Sequence, residues 1–382
     1  MLQHNSHKIN IKELGKIKIM SHLLLESTTY NPDTLNLNED PESKQYWYLC
    51  FQDLISKLAK QASKSCKEGD AVERAEKLRL HYIEELTKLQ DEQNSNELLT
   101  IRKYLDLHEH CLRLFNFSDP WKDQKAIENE FAISKLRERL NEIDRLDSDE
   151  RWIEISKGLL AGNMFDWGAQ VVADILEKNK SFGLTEALDC IQKRPWVIDN
   201  LDDWLNRMRE PLDKNNYKCC AIFADNSGVD VILGILPFAR EMLRRGTKVV
   251  LCVNSEPALN DITQKEMIGV IDKCCNECQI IKEAYETGKL LIESNGQSGP
   301  CLDFRQLPEE LNNLLIENEC DLVVIEGMGR ALHTNLHAKF KCDVLKCVVI
   351  KNQWLAKKLF GGDIFSVIFQ YERALTNSTN NC

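Results

Sequence analysis

Glycine is scarce at the front of this chain. Of 17 glycines in 382 residues, only Gly15, Gly69 and Gly158 fall among the first 160, so that stretch is poor in the most permissive turn residue and reads as helical. Long apolar runs are missing as well. Nothing approaches the roughly 20 residues needed to cross a bilayer, and the N-terminus "MLQHNSHKINIKELGKIKIM" has no apolar segment of the secretory kind. The chain is therefore expected to be cytoplasmic and away from membranes. Positive charge is in deficit, with 49 Lys+Arg against 60 Asp+Glu and a net charge of -11. That balance argues against broad binding to nucleic acid or anionic lipid. An anionic ligand would need a local positive site.

Cysteine is plentiful, at 15, but the number is odd and Cys219, Cys220, Cys252 and Cys347 lie within apolar strand-like runs. There a reduced thiol acts as a small hydrophobe, and a disulfide scaffold is not expected at this size. "CCNEC" (Cys274, Cys275, Cys278) contains a C-x-x-C without a second ligand pair at finger-like spacing, so buried or solvated thiols are the better reading.

Three regions are expected. Residues 1–40 show weak periodicity and read as a partly disordered extension. Residues 41–210 form a helical region, because "YWYLCFQDLISKLAKQA" and "FAISKLRERLNEIDRL" repeat apolar residues at three and four. Residues 211–375 alternate short β-rich runs, "CCAIFA", "KVVLCV", "LLIES", "DLVVIE", "KCVVI" and "FSVIF", with helical stretches. That alternation predicts an α/β fold, a mainly parallel sheet covered on both faces. One intervening helix should bury Val229, Ile232, Leu233, Leu236 and Leu243, close at Gly246 and kink at Pro237. A second should start at "TQKE", Thr263 to Glu266, which has the form of a capping box.

In open α/β sheets ligands bind beyond the carboxyl ends of the strands. After the first strand come Asp225-Asn226-Ser227-Gly228; after the second, Asn254-Ser255 and then Asn260-Asp261; after "DLVVIE", Gly327-Met328-Gly329-Arg330; after "KCVVI", Lys351-Asn352. Asp225, Asn226 and Asp261 are oxygen donors suited to a hard divalent ion such as Mg²⁺ or Mn²⁺. Two carboxylates neutralise the ion, and the amide adds coordination without repelling a phosphate. Asp225 and Asn226 can share a ligand only if the chain leaves its pleat there, which Ser227-Gly228 permits. An N-cap role explains Asp225 nearly as well. Gly327 and Gly329 would let backbone N–H groups approach anionic oxygens, with Lys351 as a point charge; by itself Lys351 reads as a surface lysine. Upstream, "LLAGNMFDWGA" spaces Asn163 and Asp166 for one face of a helix. "RPWVIDNLDDW" reads as a packing and turn element. His333 and His337 lack the glutamate of H-E-x-x-H and read as helix surface or pocket wall. "HEH" at His108 to His110 reads as solvated.

The segments "FADNSGVDVILGILPFARE", "NSEPALNDIT", "DLVVIEGMGRALHTN" and "VIKNQWLA", with "LAGNMFDWGA" upstream, closely resemble the damage-control phosphatases, also called domain of unknown function 89. Within that family they are similar to the subgroup related to the C-terminal domain of pantothenate kinase 4. The match is strong over about residues 150–371 and looser over 40–150. The resemblance implies a helical N-terminal region on a Rossmann-like three-layer α/β/α domain with a divalent-metal phosphomonoesterase site. Carried over by motif, Asp225, Asn226 and Asp261 would bind the metal, and Asp225, Asp261 and Lys351 would be catalytic. Asn254, Ser255, Glu326, Gly327, Gly329 and Arg330 would face the phosphate, with Asn163 and Asp166 closing the pocket. The implied substrate is 4'-phosphopantetheine or its oxidised forms, removed before they reach coenzyme A, and the implied ion is Mg, Mn, Co or Ni. No kinase domain precedes these motifs, so coupling to a pantothenate kinase is expected to be absent or in trans, and homo-oligomerisation is left open. Without the D-x-D of aspartyl-phosphate enzymes, a bound water is preferred to Asp225 as nucleophile. The rival readings are an S-adenosylmethionine-dependent carboxyl methyltransferase, whose cofactor usually leaves a glycine fingerprint that "ADNSGVD" lacks, and a catalytically silent interaction module.

Overall fold

The computed structural model describes residues 22–91, 98–179, 182–212 and 216–374. Most of the extension expected to be disordered, residues 1–21, lies outside the described residues. Five long helices open the described chain: α1 (Pro41–Ser65), α2 (Ala71–Asp91), α3 (Ile101–Leu114), α4 (Lys122–Asp144) and α5 (Ser148–Gly162). Asp40, Thr100 and Asp147 cap α1, α3 and α5 by accepting from backbone N–H groups of the first turn.

The strands are β1 (Ile198–Asp199), β2 (Cys219–Phe223), β3 (Lys248–Val253), β4 (Leu290–Ser294), β5 (Cys320–Glu326), β6 (Asp343–Val349) and β7 (Val367–Glu372). They form one sheet in the order β1-β7-β6-β5-β2-β3-β4. Every pairing is parallel except β6 with β7. The six apolar runs read as strands are all present. β1 differs from the packing and turn element expected of "RPWVIDNLDDW": it is a two-residue edge strand, too short for a periodic signal, and pairs with β7.

The continuous apolarity of β2 has a direct cause, since both faces of the sheet are covered. Cys220, Ile222 and Ala224 pack into a core with α4, α5 and the helices of residues 230–286. Cys219, Ala221 and Phe223 pack into a second core with α1, α2 and α3. The glycine-poor helices thus contribute to both outer layers of the α/β sandwich. A fully buried side chain such as Phe223 contributes about 1.5–3 kcal/mol through removal from water. The described cysteines are all free, and most of them are buried.

The chain reverses its winding at β2. From there it runs outward through β3 and β4, then returns to lay β5 against the other edge of β2. Such a switch point opens a crevice at the strand ends. The helix that follows β2 differs from expectation. Asp230–Ile235 is a π-helical turn, and the α-helix begins only at Leu236. No amphipathic stripe exists, because every residue from Asp230 to Leu243 is buried. Pro237 lies in the first turn of the α-helical part, where its missing N–H is cheap, so the expected kink is a change of helix type. Glycines set how closely this turn meets α5. A Cβ on Gly162 would lie 2.9 Å from Asp230 Oδ1, and one on Gly234 would lie 3.0 Å from the Gly158 carbonyl. The end of α5 is thereby pressed against the crevice.

The capping box at Thr263 forms as read. Thr263 Oγ1 accepts from the Glu266 N–H at 3.4 Å, and Glu266 Oε2 accepts from the Thr263 N–H at 2.9 Å. Thr263→Ala is expected to lower stability by about 1 kcal/mol, read as a lower urea midpoint at unchanged slope; an unshifted midpoint would show that the box contributes nothing.

Candidate functional site

Asp225 and Asn226 stand just past the end of β2, where the chain turns away from the sheet. Gly228 makes that turn with φ +71°, and its N–H donates to Asn129 Oδ1 of α4 at 2.7 Å. Asn226 forms an isolated antiparallel bridge with Asp261, and the Ile262 N–H donates to the Asp225 carbonyl at 3.1 Å. The loops after β2 and β3 are thus laced together, which brings the three expected metal ligands to one place. Asp225 caps no described helix.

Two carboxylates that were not named as metal ligands join them. Asp225, Asp230 and Glu326 offer oxygens within 4.8 Å of one another. Asp230 sits in the π-helical turn, where its Oδ2 accepts from the Asn226 N–H at 3.1 Å and from Asn226 Nδ2 at 2.8 Å. Glu326, read from sequence as facing the phosphate, ends β5 and accepts from the Asp225 N–H at 3.1 Å. Asp230 Oδ1 and Glu326 Oε1 are buried without a hydrogen-bond partner among the described residues. Burial drives the Asp230 carboxyl up to about 7. Burial, joined by the Asp230 charge, raises Glu326 well above its ordinary range, and burial likewise raises Asp261. Only the four-residue spacing from Asn226 hinted at Asp230, and that spacing reads equally well as helix.

Two buried cations answer this acidity. Arg330 Nη1 contacts Asp225 Oδ1, while Nη2 donates to Asp261 Oδ2 at 2.8 Å and to Asn254 Oδ1 at 2.9 Å. The guanidinium therefore bridges the two aspartates, where sequence reading placed it against phosphate. Lys351 is buried, contrary to its surface reading alone. Its Nζ donates to the Asn163 carbonyl at 2.6 Å and to Asn163 Oδ1 at 3.1 Å, and lies 3.1 Å from Asp166 Oδ2. Asn163 Nδ2 in turn donates to Asp225 Oδ2 at 3.2 Å. Asn163 is the C-cap of α5 and Asp166 follows in the loop, so they do not share a helix face. Their convergence comes from Lys351.

The glycines act differently from expectation. Gly327 has φ +106°, and a Cβ there would lie 2.3 Å from Asp225 Oδ2. Its N–H donates to the Cys347 carbonyl at 3.1 Å, so it is not free to meet a phosphate. A Cβ on Gly329 would lie 2.0 Å from the Pro300 carbonyl. Both positions serve close packing against the crevice. Ser255 also departs from its assignment: it is exposed, and its hydroxyl donates to the Gln297 carbonyl at 2.7 Å. Asn254 remains at the crevice, donating to Asp261 Oδ2 at 3.1 Å.

Part of this network opens onto a cavity of about 250 Å³. Asp166, Asp225, Asn226, Asp261 and Lys351 line its polar end, while Trp47, Phe51, Leu54 and Leu58 of α1, with Leu105 of α3, form an apolar wall. His333 lines it as a wall residue, with burial pushing its imidazole down to about 4. His337 is exposed. His108 and Glu109 correct the solvated reading, because both are buried and His108 lines the cavity; only His110 is exposed. Alternation of charge in "HEH" could not show that α3 turns this face toward the sheet.

The donor set fits a hard divalent cation. It is all oxygen, it holds two unpartnered carboxylate oxygens, and four buried carboxylates (Asp225, Asp230, Asp261, Glu326) face two buried cations (Arg330, Lys351). Ionising all four would leave surplus negative charge in a low-dielectric site; burial resists this by raising the carboxyls, and a dication would offset it.

Residues 47–363 match the damage-control phosphatase ARMT1-like domain. The chain is 41% identical to a 4'-phosphopantetheine phosphatase of Mus musculus, over 92% of this chain and 48% of the mouse protein. It is 36% identical to pantothenate kinase 2 of Arabidopsis thaliana over 92% of this chain and 41% of that one. A damage-control phosphatase of Arabidopsis thaliana is 36% identical over 85% of this chain and 87% of its own length. The chain therefore spans about half the length of the first two relatives. A solved DUF89 family protein from Pyrococcus horikoshii shares the fold, with a TM-score of 0.56 at 16% identity over 85% of this chain and 97% of that chain. The phosphatase description of the matched domain gives no support to the methyltransferase alternative.

Two outcomes follow from the geometry. Gly327→Ala forces the Asp225 carboxylate aside and adds strain of about 1–3 kcal/mol, so a lowered melting temperature is expected; a variant as stable as wild type would contradict the close approach. Asp230 holds its proton up to about pH 7 when folded, against an ordinary 3.8. The stability it contributes is present below the unfolded value and is lost as pH rises toward the folded one. In EDTA-treated protein, the stability of wild type relative to Asp230→Asn should fall between about pH 4 and pH 7; a constant difference in urea melts would exclude this.

Proposed function

We propose that this chain, which belongs to the damage-control phosphatase ARMT1-like family, is a divalent-metal-dependent phosphomonoesterase acting on 4'-phosphopantetheine and its oxidised forms. The observation that carries the reading is a single cavity with an anionic oxygen-donor floor, a buried lysine and a long apolar wall. A phosphate ester at the end of a partly apolar arm suits that division. Removing the phosphate would withhold the arm from coenzyme A synthesis.

Asp225, Asn226 and Asp261 are the proposed metal ligands, with Asp230 and Glu326 as nearby carboxylates that steer them. When bound, the ion supplies charge neutralisation for the phosphate and a lowered pKa for a coordinated water. Mg, Mn, Co and Ni are all compatible with oxygen donors. Asn226 Nδ2 is committed to Asp225 Oδ2 at 3.0 Å and Asp230 Oδ2 at 2.8 Å, which leaves the amide carbonyl as its donor group. Lys351, fixed by Asn163 and Asp166, brings positive charge to the oxygens of the transferring phosphoryl group. Arg330 orients Asp225 and Asp261, and Asn254 steadies Asp261. Both oxygens of Asp225 accept hydrogen bonds, which blunts a carboxylate as a nucleophile and favours water. The neutral His333 adds no competing charge beside the floor.

Phosphate release from 4'-phosphopantetheine by the Mn²⁺- or Co²⁺-supplemented protein should fall by about 100-fold or more with EDTA, in Asp225→Ala and in Asp261→Ala. Activity that survives all three treatments would refute the metal assignment.

A further inference from the structure

We propose that Asn352 is a specificity-determining residue of this cavity, whose side-chain Nδ2 donates to an acceptor oxygen, a hydroxyl or a carbonyl, in the arm of the substrate. The proposal rests on the phosphatase reading and deepens it, by naming the side chain that recognises what lies just beyond the phosphate. Asn352 follows Lys351 past the end of β6, and both residues line the cavity. Two bonds fix how its carboxamide is turned. As N-cap of the helix Gln353–Phe360, Asn352 Oδ1 accepts from the Leu355 N–H at 2.8 Å. It also accepts from the Tyr46 hydroxyl of α1 at 3.1 Å. A backbone N–H can only donate, so the amide oxygen occupies that side and the NH₂ group the other. Nδ2 has no hydrogen-bond partner among the described residues. Asn352 is only partly buried, and unlike Trp47 Nε1 this nitrogen is not sealed inside the protein.

Capping alone does not account for this residue. Ser, Thr or Asp would cap the helix as well, whereas the amide brings an NH₂ group together with its tie to α1. That tie places it. Tyr46 stacks on Trp354 with ring centroids 4.2 Å apart, and the next residue, Trp47, opens the apolar wall, joined by Cys50 one turn on. Asn352 therefore stands where the charged end of the cavity, lined by Lys351 and Asp166, meets the wall supplied by α1. A ligand seated by its phosphate at the strand ends carries the first atoms of its arm past that corner. An unpaired donor there calls for an acceptor, and a site built around such a donor discriminates against ligands that lack the matching oxygen. The arm of 4'-phosphopantetheine offers a hydroxyl and amide carbonyls. Tyr46 is a positioning residue, which acts through the amide by holding Oδ1 and so aiming Nδ2.

The test uses the full chain with metal and two phosphate esters, 4'-phosphopantetheine and phenyl phosphate, which has no acceptor beyond its ester. Asn352→Ser keeps a capping hydroxyl and withdraws the amide N–H groups. It should raise KM for 4'-phosphopantetheine by about 10-fold with a smaller change in kcat, and should leave phenyl phosphate turnover within about 2-fold. Equal losses on both esters would mean that Nδ2 meets the phosphate, and no loss on either that Asn352 only caps; each overturns the proposal. Tyr46→Phe keeps the ring stacked on Trp354 and removes the hydroxyl, so a smaller rise in KM of about 3-fold, again confined to 4'-phosphopantetheine, is expected; an unchanged KM would overturn the role given to Tyr46. A second measurement is independent of turnover. The side-chain NH₂ resonances of Asn352, assigned by their loss in Asn352→Asp, are followed in the full chain while pantetheine, which has the arm but no phosphate, is added in excess. A shift is expected, and unmoved signals overturn the proposal. Wild-type protein inactive on both esters, but with shifted Asn352 signals, would overturn the phosphatase reading alone.

Discussion

Ionised groups removed from water must be paired, and that constraint organises the whole crevice. Asp225, Asp230, Asp261 and Glu326 are buried at the ends of β2, β3 and β5, with Arg330 and Lys351 among them. Each cation ties together parts of the chain distant in sequence: Arg330 joins the loops after β2, β3 and β5, and Lys351 fastens the end of α5 to the end of β6. The network is over-determined, and it would be anionic with all four carboxylates ionised. A site of that kind is held in place before it binds anything, which is the preorganisation that charge-stabilising catalysis requires.

Such density of charge is reached through unusual backbone. π-helical turns follow both β2 and β5, the two strands adjacent at the switch point. A wider turn re-aims side chains that a regular helix would carry elsewhere, and here it delivers Asp230 and Arg330. Gly327 admits the Asp225 carboxylate, and Gly162 admits Asp230. The strain and lost entropy at these positions are offset by the two complete cores on either side of the sheet.

The layered architecture also separates two tasks. Strand ends supply the charged floor, while α1 and α3 supply the apolar wall with His108 in it. The charged floor and the apolar wall thus come from regions about a hundred or more residues apart. The wall can change with little effect on the floor, which is one physical route by which a single fold can serve different ligands.

The sequence alone determined the features that depend on neighbours along the chain: six strands from their apolar runs, the Thr263 cap from its spacing, and the placing of Asp225, Asn226 and Asp261 at strand ends. Tertiary packing decided the rest. Asp230 was indistinguishable from a helical residue, Ser255 turned toward Gln297, Arg330 settled between carboxylates, and the N–H of Gly327 went to Cys347. The burial of His108 depends on which face α3 turns toward β2 and β5. Local pattern records a residue's period and chemistry, whereas pairing of a charge, or its absence, depends on what folding brings beside it from far along the chain.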